Sequence, residues 1–287
     1  MSSLKDKVPA ALAKIEHLIA APRTLGRALM LLRDPQSDLG DIARLIAQDP
    51  ALTADVLRCA NSAFYGAGLR VTSISGAVQK IGFRETLRLL TLVVAHTTAA
   101  RDLGSYGIAA EDSWTESLFS GICLEILARD LPEEARDEAY AAGLLRFIGR
   151  LAINQAIDDL GGGLFWDATV PLATWETENV GLTQAAAGAL LLRRWKFAES
   201  LASAIEQQDA ADANALREPL TQALHFLARL LPAGATAEWL LRTDEAEPGF
   251  PASHPYAVQH TLTPERVGEV LRESRERFVA VRDQLAH

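Results

Sequence analysis

Cysteine is nearly absent: 287 residues contain two, Cys59 and Cys123. They lie far apart and in no Cys-x-x-Cys spacing, which excludes a zinc ribbon and a dithiol redox pair. Both stand among apolar neighbours and are expected to behave as small core residues. Long apolar runs are also missing. The longest, such as Ala185 to Leu192, ends in charge far short of the roughly eighteen residues that a membrane span requires. Lys14, Glu16 and His17 interrupt what would be a signal-peptide core, so the chain is expected in the cytoplasm, without membrane insertion. Positive charge is in deficit, with 28 Lys and Arg against 37 Asp and Glu and a net charge of -9. Apart from Arg193-Arg194-Trp195-Lys196 there is no basic cluster, which disfavours generic DNA binding. No Gly-rich phosphate loop, Ser-His-Asp set or Cys-His arrangement offers an enzyme of a familiar type. No stretch alternates β-branched residues with period two, so no sheet is expected.

What the sequence has is helix. Hydrophobic residues make up 49% and charged residues 23%, a globular balance, while aromatics are only 6%. Ala and Leu, which lose little rotamer freedom in a helix, dominate. Val8 to Ile19 and Arg23 to Arg33 read as the first two helices, stopped at Pro22 and at Asp34-Pro35. Asp38 is placed to cap a third, with Leu39, Ile42, Leu45 and Ile46 on one face. Asp49-Pro50 opens the next, an N-cap followed by a proline in the first turn. Ser73 or Ser75 starts a short helix that ends at Gly82, and Leu87, Leu90, Thr91 and Val94 mark a strongly apolar one. Trp114 to Arg129 and Glu133 to Leu145 follow. Gly161-Gly162-Gly163 is a break, and the stretch to Asn179 reads as a loop with a short helix. Leu182 to Trp195, Glu199 to Gln208, Ala215 to Leu231 and Pro264 to Leu285 complete the set. Thr243 to Pro255, with three prolines and a glycine, reads as an exposed loop. The fold class is all-α.

At Asp49-Pro50-Ala51-Leu52-Thr53 and at Leu57-Arg58-Cys59-Ala60-Asn61-Ser62-Ala63-Phe64-Tyr65-Gly66 the sequence resembles the HDOD family. The resemblance continues through Ile74-Ser75-Gly76-Ala77-Val78 and Ile81-Gly82, in the family's order and spacing. It implies a multi-helix bundle related to the HD-type metal-dependent phosphohydrolases, used as a regulatory or output module in bacterial signalling. Residues 1–210 then form the HDOD-like domain with its N-terminal helices. Residues 211–287 are a helical extension wrapped on it.

A phosphohydrolase of the HD class needs several His and Asp ligands converging on one or two metals. The chain has six histidines and no His-Asp dipeptide. Where the resemblance implies ligands, Glu116, Arg146, Phe147, Gln184, Gln207 and Gln208 stand instead. Arginine keeps its proton and phenylalanine has no donor atom, so the expectation is a lost hydrolytic site, no metal and no cofactor. The remaining histidines, His17, His96, His225, His254, His260 and His287, share no metal-ligand spacing. An ion pair of Glu116 with Arg146 across facing helices would fill the vacated site, because a buried carboxylate needs a counter-charge.

Other polar groups have a functional and a structural reading. Asn61, Ser62 and Tyr65 either line a groove for a partner or ligand, or cap a helix end and hold its loop. Arg84 and Arg88 lie four apart and either hold a phosphate or pair with carboxylates such as Glu85. Arg193-Arg194-Trp195-Lys196 either binds a nucleotide or ends a helix. Three functions follow, in order of preference. The first is a non-catalytic regulatory module acting through protein partners. The second is a sensor of a nucleotide second messenger in the vestigial pocket, and the last an active metallophosphohydrolase.

Overall fold

The computed structural model describes residues 4–12, 31, 37–48, 53, 56–57, 60–61, 71–82, 85–86, 88–90, 102–195, 197–231, 236–242 and 250–285. The expectations placed on Arg23 to Arg33 apart from Leu31, and on Asp49-Pro50, Cys59, Ser62, Tyr65, Arg84, Lys196, His17, His96 and His287, lie outside these residues, as do Leu87, Thr91 and Val94. Thirteen α-helices occur among the described residues: α1 Leu4–Leu12, α2 Leu39–Ile46, α3 Ile74–Ile81, α4 Ala110–Leu127, α5 Glu133–Leu145, α6 Ile148–Asp159 and α7 Leu172–Asn179. The series continues with α8 Gln184–Arg194, α9 Glu199–Glu206, α10 Pro219–Leu230, α11 Ala237–Arg242, α12 Pro255–Gln259 and α13 Pro264–Leu285. No strand occurs among the described residues; one isolated antiparallel bridge joins Leu103 and Ile108. The fold is all-α.

Local signals set several ends. Asp38 and Asp41 form a reciprocal capping box at α2, each side chain accepting the other's backbone N–H at 3.0 Å. Ser73 Oγ accepts the Gly76 N–H at 3.1 Å, and α3 stops at Gly82, whose φ of +81° suits glycine alone. The helix read from Trp114 starts one turn earlier, because Asp102 Oδ1 accepts the Ala110 N–H at 2.8 Å. That cap comes from eight residues upstream, beyond the reach of an N-cap pattern.

Three helices had no counterpart in the expected set: α6, α11 and α12. The reading ended at Leu145 and resumed at the triglycine, yet α6 runs Ile148–Asp159 between them. Its buried face, Ile148, Ala152, Ile153, Ala156 and Ile157, carries the three- and four-residue spacing of an amphipathic helix. The Arg146-Phe147 joint hides the new start, since neither residue is a capping type.

Helix α4 is buried on nearly every side, with α5, α10, α11 and α13 packed around it. Two crossings depend on glycine. A Cβ at Gly143 of α5 would stand 2.4 Å from the Ser120 carbonyl oxygen of α4, and one at Gly149 of α6 would stand 1.9 Å from the Gln184 carbonyl oxygen of α8. The second crossing seats α8 against the start of α6.

The last helices join the same apolar core. Phe278 of α13 packs on Phe119 of α4 with ring centroids 6.5 Å apart, and the Tyr256 hydroxyl of α12 donates to the Leu127 carbonyl at 2.7 Å. Charged groups at the rim add Arg129 Nη1 to Glu273 at 2.8 Å and Arg277 to Glu125 at 3.2 Å. The segment read as an exposed loop up to Pro255 is corrected at its end. His254 is buried, because its side chain caps α12 and meets His225.

Candidate functional site

The α5–α6 joint carries the unusual chemistry. Arg146 closes α5, Phe147 precedes α6 and Arg150 sits in its first turn. Both arginines are buried, with 2% and 1% of their surface exposed. Burying a guanidinium is costly unless it is paired, so a chain rarely does so without a compensating group. Arg150 Nη1 donates to Glu116 Oε2 of α4 at 2.8 Å, and both side chains are buried. The counter-ion expected to be Arg146 is therefore Arg150, one helical turn further on. The physical reason is the new helix: α6 brings residue 150 within hydrogen-bond reach of Glu116, whose charge also acts on Arg146.

Arg146 is held differently. Its guanidinium lies 4.3 Å from the Phe147 ring centroid, and that of Arg150 lies 3.9 Å from the same ring. Both cations thus stack on one aromatic side chain. Burial pulls the Arg146 guanidinium down to about 10, opposed by the charges of Glu116 and Asp209. Its Nε and Nη1 have no hydrogen-bond acceptor, nor do Nε and Nη2 of Arg150.

Of the three expected glutamines, Gln208 reaches this layer. Gln208 is fully buried, and its Nε2 donates to the Arg146 and Ile205 carbonyls, both at 3.0 Å. Its Oε1 and the Oε1 of buried Gln184 have no donor. Gln207 is corrected: it is exposed, and its amide returns to the Ser203 carbonyl at 3.3 Å, so it has no place in the cluster. The cause is helical phase, since adjacent residues at the end of α9 point to different sides.

Glu176 of α7 completes the site. It accepts the Tyr106 hydroxyl at 3.0 Å and the Gln184 backbone N–H at 2.8 Å, which fastens the start of α8. Burial pushes its carboxyl up to about 7, while those two hydrogen bonds and the charge of Arg150 pull the other way. Sequence reading missed Arg150, Glu176 and Tyr106. A signal for Arg150 existed, since it stands four residues after Arg146 on a helical pattern; Glu176 and Tyr106 meet only through tertiary packing.

This donor set does not fit a metal. One carboxylate is committed to a guanidinium, the adjacent pair is a cation and a hydrocarbon ring, and the glutamines are neutral. Among the described residues no three His, Cys, Asp or Glu side chains gather around a common point. No helix among them is long and apolar enough to cross a membrane.

Of the expected groove, Ser62, Tyr65 and Arg84 lie outside the described residues, and Asn61 has a structural role. Asn61 Nδ2 donates to the Leu57 carbonyl at 2.9 Å and the Val71 carbonyl at 2.8 Å, and its Oδ1 accepts the Val71 N–H at 2.9 Å. It therefore ends one helix and pins the chain that leads into α3. Arg88 lies 3.4 Å from Glu125 and 3.8 Å from Glu85, above the Tyr140 ring. Arg193 bridges Glu199 and Glu206 at 2.7 and 2.6 Å, and Trp195 is buried. Cys123 is buried, which pushes its thiol up to about 12.

The all-α bundle places the protein in the class of HD-like folds. Within that class, the HDOD domain profile matches residues 18–211, and the chain belongs to the HDOD family. In fold it is similar to a candidate signal transduction protein of Marinobacter aquaeolei, at 22% identity and TM-score 0.68, covering 99% of this chain and 66% of that one. A candidate phosphohydrolase of Shewanella amazonensis aligns at 21% identity and TM-score 0.65 over 97% and 98% of the two chains. An HDOD protein of unknown function from Geobacter sulfurreducens aligns at 19% and 0.59 over 98% and 95%. An uncharacterised protein of Treponema pallidum is 28% identical over 69% of this chain, which spans only 39% of that relative's length.

Proposed function

We propose that this protein is a non-catalytic regulatory module of a signalling pathway, acting through contacts with protein partners. The observation that carries the proposal is the buried Glu116–Arg150 pair, with Arg146 and Phe147 beside it. Hydrolysis of the HD type needs a metal to generate the nucleophile and clamp the phosphate. Guanidinium groups at the same place repel a divalent cation and cannot ligate it. Membership of the HDOD family and the fold shared with a protein named for signal transduction agree with a regulatory role.

The test is a hydrolysis assay on a generic phosphodiester and on cyclic dinucleotides, with manganese or magnesium added. No turnover above the buffer rate is expected. Metal-dependent turnover that vanishes in Glu116→Gln would overturn the reading and make the chain an enzyme.

A second reading, a sensor of a phosphate-bearing ligand, is favoured by the orphaned guanidinium donors, and they lead to the inference below.

A further inference from the structure

We infer that the Arg146–Arg150 cluster is a binding site for a single phosphoryl group, held by guanidinium donors in place of a metal. The inference rests on the non-catalytic reading above and names what the same site holds. Four N–H-bearing nitrogens carry it: Nε and Nη1 of Arg146, and Nε and Nη2 of Arg150, all buried without an acceptor. Guanidinium stays charged, so each such donor keeps its full demand for an acceptor. Stacking of both groups on Phe147 fixes their planes, which lowers the ordering cost of binding.

Hydrogen-bond sense selects the ligand: four guanidinium donors without an acceptor call for the oxygens of an anion. Gln208, whose amide is anchored on the Arg146 carbonyl, has a buried Oε1 without a donor. A carboxylate or chloride offers nothing to it. A monoprotonated phosphoryl group does: its unprotonated oxygens accept from the arginines, and its P–OH donates to an amide oxygen. Arginine forks match such a group geometrically.

Thermal unfolding in EDTA, with sodium phosphate compared against sodium chloride at equal ionic strength, tests the site. Wild-type protein is expected to gain roughly 3 °C in Tm well above half-saturation, with one phosphate per chain by calorimetry. Arg146→Met is the informative variant, because it leaves the Glu116–Arg150 pair intact; it should lose the phosphate gain. Arg146→Lys keeps the charge without the fork and should weaken binding about tenfold. Adenosine 5′-monophosphate, run in parallel, separates the sources of the phosphoryl group. A response to inorganic phosphate alone assigns the free ion, and a larger response to the nucleotide assigns a nucleotide terminus. No phosphate response in wild type, or an equal response in Arg146→Met, overturns the inference. Should both variants fail to fold, the wild-type calorimetry decides it. Failure of the non-catalytic reading would appear separately, as metal-dependent turnover that an EDTA titration does not register.

Discussion

Removing Glu116 should harm the fold more than removing its ion-pair partner. Glu116 faces two cations: Arg150, hydrogen-bonded at 2.8 Å, and Arg146, whose ionisation its charge supports. Glu116→Gln removes the hydrogen-bonded counter-ion of Arg150 and leaves Arg146 only the charge of Asp209. Breaking a buried pair from one side typically costs about 3–5 kcal/mol. Arg150→Met removes one cation but leaves Glu116 beside Arg146, so the loss should be about 1–2 kcal/mol, the scale of one charged hydrogen bond. With an unfolding entropy near 2.1 cal/mol/K per residue, a chain of this length shifts by about 1.7 °C per kcal/mol. The expected falls in Tm are therefore about 5–8 °C for Glu116→Gln and about 2–3 °C for Arg150→Met. Differential scanning calorimetry at pH 7.5 and low phosphate reads both. Equal losses, or a larger loss for Arg150→Met, would refute the idea that Glu116 serves two cations.

Three further outcomes follow from other parts of the structure. His225 and His254 meet at 2.7 Å between Nδ1 and Nε2, while His225 Nε2 meets the Ala210 carbonyl at 2.9 Å and His254 Nδ1 accepts the Tyr256 N–H at 3.1 Å. That chain fits two neutral rings, and burial, with His225 and Arg229 beside it, pulls His254 down to about 4. The stability it supports is full above about pH 6.5 and fades as pH falls towards 4, about 2 kcal/mol being lost at pH 5; hydrogen exchange in α12 should quicken at pH 5, and an unchanged rate would contradict it. Glu176 has the opposite sign: its raised carboxyl supports the fold fully below about pH 4.5 and loses that support as pH rises through about 7. Glu176→Gln, which still accepts the Gln184 N–H, should raise Tm at pH 8 and do little at pH 5, whereas a fall at pH 8 would contradict it. Gly149→Ala should cost about 2–4 kcal/mol in urea unfolding, because its Cβ would meet the Gln184 carbonyl at 1.9 Å; a loss under about 1 kcal/mol would show that α8 can shift.

Much of the fold was legible because its signals are local. Asp38, Ser73, Gly82 and the proline that opens α13 mark ends where the chain's own chemistry fixes them. Helix α6 escaped because its apolar spacing follows an uncapped joint, and α4 began early because its cap comes from Asp102. The candidate site was half legible. Glu116, Arg146, Phe147, Gln184 and Gln208 were singled out by the residue types that stand where ligands were sought, and four of those five side chains have contacts or orphaned atoms in one buried layer with Arg150. Its true pairing was not legible, because whether residue 146 or 150 faces Glu116 depends on where α6 starts. Glu176 and Tyr106 lie 70 residues apart and meet through packing that no local pattern records.

The most direct test of the central claim is elemental analysis of divalent metals in purified, tag-free protein. The account requires far less than one metal ion per chain, even after incubation with manganese and removal of the excess. One or two tightly held ions per chain would show that the residues around Glu116 still form a metal centre and that the non-catalytic reading is wrong.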